Sequence, residues 1–359
     1  MNLPFVPRMP RRQKFSLVLL CLAFSLALAA LLIHDGRTKH RPFDETALKA
    51  VRQVQLCHGE IRQMRQELGI PIDPALDPAG TGLIGEDYTD LTSTLGDLHA
   101  KQVSLSPHFA GLIVQWLEDL GVQEGDAVAV TFTGSFPGLN IATLCALDAL
   151  VLEPVIFSTV GASTYGANIP GLSWPDMEAR LYRAGLIRGA SRWMSLGGIM
   201  DTGGGIDETG ITEGEAAIAR HGAEYVREGT AQDVAADVER RMALYRGAPA
   251  SKAYVNVGGG VSALGWVAEA ALLDNGPLDR MPASSSPQRG LLFRFFEQGV
   301  PVIHLLNIDR LAAEYAIPST PGELYAPYDR TSRQRMKDMG LILLLAGWLG
   351  LGAFLLWKE

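Results

Sequence analysis

Cysteine is scarce in this chain, with three among 359 residues. Cys21, Cys57 and Cys145 have no metal-ligand spacing, so the sequence predicts no bound metal. Cys21 lies in an apolar run. Cys57 and Cys145 read as two separate buried thiols, and a disulfide between them stays open if that part of the chain lies outside the cytoplasm. The nucleotide signatures are missing too. There is neither a Walker loop nor a Gly-x-Gly-x-x-Gly with its acidic partner, so ATP hydrolysis and nicotinamide chemistry have no support and no cofactor is expected. Internal repeats and long low-complexity runs are absent. Positive charge is also lacking where most of the chain lies. Residues 1–41 carry +6 and residues 330–359 carry +3, which leaves −17 for residues 42–329 of the total −8. Phosphate neutralisation needs Lys and Arg, so nucleic acid is excluded as a partner and a polyanion could be held only by local contacts.

Apolar residues, in contrast, make up 47% of the chain, enough for a real core. Two uncharged runs stand out. Phe15 to Ile33 follows Arg8, Arg11, Arg12 and Lys14, and reaches the ~20 residues that cross a bilayer. The small-x-small form of Ala27-Leu28-Ala29 would suit signal cleavage, but the apolar run continues to Ile33, which favours a retained anchor. Leu341 to Trp357 has no polar face and reads as a second span. The sequence therefore predicts a two-span protein of the cell membrane. The four basic residues before the first span lean towards an extracytoplasmic middle, while the basic residues flanking the middle on its own side oppose that. The expected layout is a basic tail (1–14), a first span (15–33), a membrane-proximal helix with a Pro-rich linker (34–79), an α/β domain (80–327), a basic juxtamembrane segment (328–340) and a second span (341–357).

The middle is organised around residues 126–168. Ala127 to Phe132 is a short β-prone run, Gly134 to Gly138 a tight loop, Ile141 to Leu152 a helix, and Pro154 to Phe157 a second strand. That order is one βαβ unit with parallel strands buried on both faces. Ala253 to Val257 and Pro301 to Leu306 read as further strands, and His108 to Leu120 and Leu291 to Gln298 as helices. Ser173, ahead of Trp174-Pro175, reads as a helix cap. The expected fold class is α/β, with a Rossmann-like, mostly parallel sheet flanked by helices and a transmembrane helix at each end.

Strand after strand runs into small or hydroxyl residues: Thr133-Gly134-Ser135, Ser158-Thr159, Gly258-Gly259-Gly260 with Ser262, and Asn307. In a parallel sheet these loops gather at one edge, where free backbone N–H groups suit a carboxylate or phosphate. Tight strand-to-helix turns also demand glycine for their own sake. The candidate ligand-binding residues are Gly134, Ser135, Asn140, Ser158, Thr159, Ser163, Gly258, Gly259, Gly260, Ser262, Asn307 and Lys101. Lys101 could neutralise an anion, although a solvated lysine is the plainer reading. Ser135 sits where a serine nucleophile would, with His304 as the available base. The Gly-x-Ser-x-Gly spacing is missing, however, so a helix cap and a satisfied core histidine are the plainer readings. Asp201-Thr202-Gly203 has the form of the aspartic-protease triplet, but one copy supplies one carboxylate, and a glycine-rich turn is preferred. His58-Gly59-Glu60 has deaminase spacing without the Pro-Cys-x-x-Cys it would need.

Several stretches resemble a known family: Gly82-Leu83-Ile84-Gly85, Thr94-Leu95-Gly96 with Lys101, Gly125 to Asn140, Gly161 to Asn168, Trp174 to Glu178, and Val300 to Asp309. Together with the two flanking spans they are similar to the poly-gamma-glutamate system proteins. The resemblance covers most of residues 80–325. It implies work beside the membrane ligase complex that makes poly-γ-glutamate, in capsule or exopolymer production, and it assigns no reaction. The expected function is a membrane-anchored accessory of poly-γ-glutamate synthesis or export whose domain takes a glutamyl or carboxylate ligand. The alternatives are a hydrolase or transferase on that polymer through Ser135 and His304, or a non-catalytic scaffold for the ligase complex.

Overall fold

The β-prone run at Ala127–Phe132 forms the central strand of a seven-stranded sheet in the computed structural model, which describes residues 41–227 and 234–325 and the isolated positions 23, 25, 339, 347 and 348. The strands are β1 (Ala127–Phe132), β2 (Glu153–Thr159), β3 (Trp193–Ser195), β4 (Glu224–Tyr225), β5 (Ser251–Val257), β6 (Gly276–Pro277) and β7 (Val302–Leu305), in the order β6-β7-β5-β1-β2-β3-β4. Every pairing is parallel except that of β6 with β7. The fold is thus mixed α/β with a mostly parallel central sheet flanked by helices. The sequence order β1, β2, β3, β4 runs outward on one side. The chain then returns to place β5 on the other side of β1, so the direction of winding reverses between β1 and β5.

Parallel strands need both faces covered, and β1 shows how the sequence meets that demand. Val128, Val130 and Phe132 enter one core layer, while Ala127 and Ala129 enter the other. Alternate side chains of a strand point to opposite faces, so a continuous apolar run serves both layers. The first layer is covered by α1 (Glu45–Glu67), α3 (His108–Asp119), α4 (Pro137–Ala149) and α5 (Trp174–Arg183). The second is covered by α7 (Val234–Arg246) and α9 (Leu291–Glu297), where Tyr254 stacks on Phe295 with ring centroids 4.3 Å apart. A smaller cluster of Leu91, Val160, Met194 and Ile218 lies under α6 (Glu208–His221). The short α2 (Leu98–Ser104), α8 (Val261–Leu264) and α10 (Ile308–Glu314) complete the helices used below.

The expected helix within 34–79 is α1. Ala47, Val54, Cys57 and Ile61 on it are fully buried, so the compact unit begins at Phe43 and runs to Tyr328. The two expected spans, 15–33 and 341–357, lie outside the described residues apart from single positions. Among the described residues no helix is long and apolar enough to cross a membrane.

Candidate functional site

The loops that leave β1, β2 and β5 meet a fourth segment, residues 93–101, around a cleft of about 560 Å³. In open parallel sheets the winding reversal leaves a crevice beyond the carboxyl ends of the strands, and this cleft occupies that place between β1 and β5. Its fourth wall is folded over the sheet edge by side-chain bonds. Asn168 Nδ2 donates to the Glu86 carbonyl (2.9 Å) and to Thr92 Oγ1 (2.9 Å), and its Oδ1 accepts from Glu86 N–H (3.0 Å). Thr164 Oγ1 accepts from Gly96 N–H (2.7 Å) and donates to the Gly96 carbonyl (3.0 Å). Thr92–Thr94 adds a short parallel ladder with Ala162–Ser163.

This wall carries Lys101 into the cleft. Asp97 caps α2 by accepting Ala100 N–H (2.8 Å), and the helix directs Lys101 inward, where it is 2% exposed. The solvated lysine expected from sequence is therefore overturned: the loop above it has closed. Lys101 Nζ donates to the Ser135 carbonyl, lies 2.7 Å from Ser163 Oγ, and sits 3.7 Å from the centroid of the Phe136 ring. Among the described residues no carboxylate lies within ion-pair distance of it. Burial pushes its pKa down to about 7, with Asp97 opposing part of the effect. Gly96 has no room for a side chain here, since a Cβ would stand 2.8 Å from Ser163 Oγ.

The β1 and β5 loops face this lysine wall. Thr133 is 5% exposed and its Oγ1 has no hydrogen-bond partner among the described residues. Gly258 holds φ +96°, and a Cβ there would run into the Thr133 hydroxyl, so glycine is required on both counts. The backbone N–H groups of Ser135, Gly259 and Gly260 donate to nothing among the described residues. Asp201, at φ +58°, closes the floor. Its Oδ2 accepts from Ser262 N–H (2.7 Å), and its Oδ1 lies 3.5 Å from Arg241 Nη2. Arg241 is fully buried, bonds Asp237 (2.9 Å) and Ser195 Oγ (3.2 Å), and lies over the Phe157 ring. The Asp201 carboxylate is thus engaged by a cation beneath the floor. The mouth is apolar and open, with Leu95 90%, Trp266 62% and Ile199 48% exposed.

No family model, no curated protein and no solved structure matches the chain.

Of the residues singled out from sequence, Lys101, Ser135, Thr159, Ser163, Gly259 and Gly260 line the cleft. The others do not. Gly134 and Gly258 lie beside it in the same loops. Asn140 braces the β1 loop from beneath, its Nδ2 donating to the Thr133 carbonyl (2.9 Å). Ser158 turns into the core, where its Oγ meets Ser191 Oγ (2.5 Å) and Trp174 Nε1 (3.3 Å). Ser262 offers its N–H to Asp201, and its hydroxyl has no partner among the described residues. Asn307 caps α10 by accepting Arg310 N–H (3.2 Å). His304 lies within the sheet with Nδ1 3.0 Å from Asn256 Nδ2, and burial pushes its pKa down to about 4. No hydrogen bond joins it to Ser135, whose Oγ instead accepts Ser163 N–H (3.0 Å). Ser135 is not the cap of α4 either, because that helix starts after Phe136 with no side-chain cap. Among the described residues no group of three or more His, Cys, Asp or Glu could hold a metal ion.

Sequence reasoning misses the Thr133 hydroxyl, Asp201 and the apolar rim. Thr133 lies inside the Thr133-Gly134-Ser135 motif, but its unsatisfied hydroxyl is a signal that only packing reveals. Asp201 reads from sequence as part of a glycine-rich turn. Trp266 carries no sequence signal at all.

Proposed function

We propose that the cleft binds one small carboxylate-bearing unit, and that the chain serves poly-γ-glutamate synthesis or export as a membrane-anchored accessory with a Rossmann-like domain. The carboxylate would rest on Gly259 N–H, Gly260 N–H and the Thr133 hydroxyl, with Lys101 as the nearby cation. The observation that carries this reading is Lys101, a buried lysine that among the described residues has no carboxylate partner, in a cleft whose Thr133 hydroxyl and Gly259 and Gly260 N–H groups likewise have none. Burying a cation and leaving hydroxyl and N–H groups unsatisfied costs stability, and functional sites are where proteins accept such costs. A cleft of this size suits a single small molecule rather than a polymer segment. The apolar rim of Leu95, Ile199 and Trp266 would pack on methylene groups, of which a glutamyl unit has two. The γ-glutamyl identity, the two-span membrane location, the extracytoplasmic domain and the ligase partner rest on the sequence resemblance and the apolar runs.

Calorimetric titration of the full chain with γ-linked diglutamate and with its neutral amide tests the reading. Saturable binding of the acid and not the amide is expected, weakened about tenfold to a hundredfold in Thr133→Val, as loss of a hydrogen bond to a charged group costs roughly 1.5–3 kcal/mol. An anion beside Lys101 stabilises its charged form, so binding should take up protons and weaken as pH rises through about 7. Equal binding of acid and amide, or none at millimolar concentration at pH 6, would refute it.

A further inference from the structure

The geometry points to a serine–lysine acyl-transfer centre in the cleft, with Ser163 as nucleophile and Lys101 as its general base. This rests on the reading that the cleft receives a ligand, and it names the reaction that reading leaves open. Three arrangements carry it. Ser163 Oγ lies 2.7 Å from Lys101 Nζ, within proton-transfer reach, and both residues line the cleft while being almost fully buried. The lysine is held on two sides, by the Ser135 carbonyl and by the Phe136 ring, so its remaining direction is towards Ser163. Ser135 ties the serine as well, since its Oγ accepts Ser163 N–H (3.0 Å). The N–H of Ser135, in the same cleft wall, has no partner among the described residues and would serve as a donor for a developing oxyanion. A neutral lysine has one lone pair and two N–H donors. One donor goes to Ser135, and the lone pair is left for the Ser163 hydroxyl proton.

The charged groups around Nζ are few. Asp97 caps its helix, Asp201 across the cleft is engaged with Arg241, and Ser135, Phe136 and Ser163 are uncharged. Burial accordingly governs and favours the neutral lysine, pushing its pKa down to about 7. In the first step Ser163 Oγ bonds to the carbonyl carbon of an amide while its proton passes to Lys101 Nζ. The C–N bond then breaks, and the leaving amine takes that proton from the lysine. In the second step water adds to the ester carbon, giving its proton to Nζ. The acyl–Oγ bond breaks, the proton returns to Ser163, and a free carboxylic acid leaves. An amine in place of water gives transfer instead of hydrolysis. The substrate class is an amide-linked acyl unit that also carries a carboxylate for the Thr133 side of the cleft. Ser135 and His304 do not make such a pair, since His304 is turned to Asn256.

The test is covalent labelling of the full chain in detergent micelles with a fluorophosphonate, in which an Oγ–P bond forms and fluoride leaves. Peptide mass mapping should place one adduct on Ser163, with a rate that rises as pH passes through about 7. Ser163→Ala should abolish the adduct. Lys101→Met and Lys101→Arg should each slow it at least about a hundredfold, the usual scale of a general base, with Lys101→Arg retaining the charge and the near-ultraviolet spectrum of a folded protein. No adduct on Ser163 between pH 6 and 9, while a known serine hydrolase in the same tube is labelled, would overturn the proposal. So would an adduct on another residue or unchanged labelling in Lys101→Arg. Calorimetry on the same preparations separates the two readings. Diglutamate binding without labelling leaves the carboxylate site and removes the dyad, and labelling without diglutamate binding does the reverse.

Discussion

Replacing Lys101 with methionine should change the pH dependence of stability more than stability itself. The unfolded chain holds a charged lysine up to its ordinary pKa of 10.5, while the folded protein releases that proton near 7. Unfolding between those values therefore takes up a proton, and stability rises with pH across the window. The gain is complete above 10.5 and is lost as pH falls through about 7. For one group with these two pKa values, the rise from pH 6 to pH 9 is about 3 kcal/mol. Lys101→Met loses the two bonds of Nζ at every pH, about 1 kcal/mol each, but loses the proton uptake entirely. Urea unfolding of residues 43–328, one compact unit, followed by tryptophan fluorescence at pH 6, 7.5 and 9, reads both effects. The difference between wild type and variant should move by about 3 kcal/mol over that range, with the variant relatively better at pH 6. Parallel curves, within about 0.5 kcal/mol, would mean that Lys101 titrates as a solvated lysine. The closed wall over α2 would then be wrong, and with it the site.

Three further outcomes follow from other parts of the molecule. Cys57 on α1 and Cys145 on α4 hold their sulfurs 3.8 Å apart as buried free thiols, and burial pushes the Cys145 pKa up, so both should resist alkylation in the folded protein and react only after denaturation, as read by mass spectrometry. Alkylation of either thiol in the folded protein would contradict that packing. Gly258→Ala should lower stability by about 1–3 kcal/mol, because it combines a positive φ with a collision at Thr133; an unchanged melting temperature would contradict the loop geometry. His304→Gln should reduce the loss of stability on acidification between pH 6.5 and 4, since the buried histidine stays neutral there while the unfolded one charges. Coincident acid-unfolding curves for His304→Gln and wild type would count against this.

The central strand is legible to the residue, Ala127 to Phe132, because a strand buried on both faces leaves an unbroken apolar signature. The βαβ order and the strands at 251–257 and 302–305 are legible for the same reason. The short outer strands are not. Trp193–Ser195, Glu224–Tyr225 and Gly276–Pro277 are three residues or fewer, too short for any period to register. The meeting of loops at one edge follows from parallel pairing, so the amino-acid sequence by itself groups Ser135, Thr159, Gly259 and Gly260. Which way each side chain turns does not follow. Ser158 and Thr159 are neighbours on β2 and point to opposite faces, one into the core and one into the cleft. The burial of Lys101 is invisible in the sequence because it depends on Asn168 and Thr164 folding a distant loop over it.

The charge of residues 42–329 and the chemistry of the cleft pull in opposite directions, and their scales decide which guest fits. A net −17 repels a polyanion at long range, but at physiological salt that field decays over about 8 Å. Inside the cleft Asp201 is already engaged by Arg241, while Lys101 and the residues whose N–H groups have no partner among the described residues line the wall. A single carboxylate that reaches them is therefore attracted locally, whereas a long anionic chain lying across the surface is not. The same balance would favour a chain end or a lone unit over an internal segment of a polymer. Under the proposed hydrolysis of an amide, a product carrying one more carboxylate than its substrate would meet the repulsion that the substrate escaped.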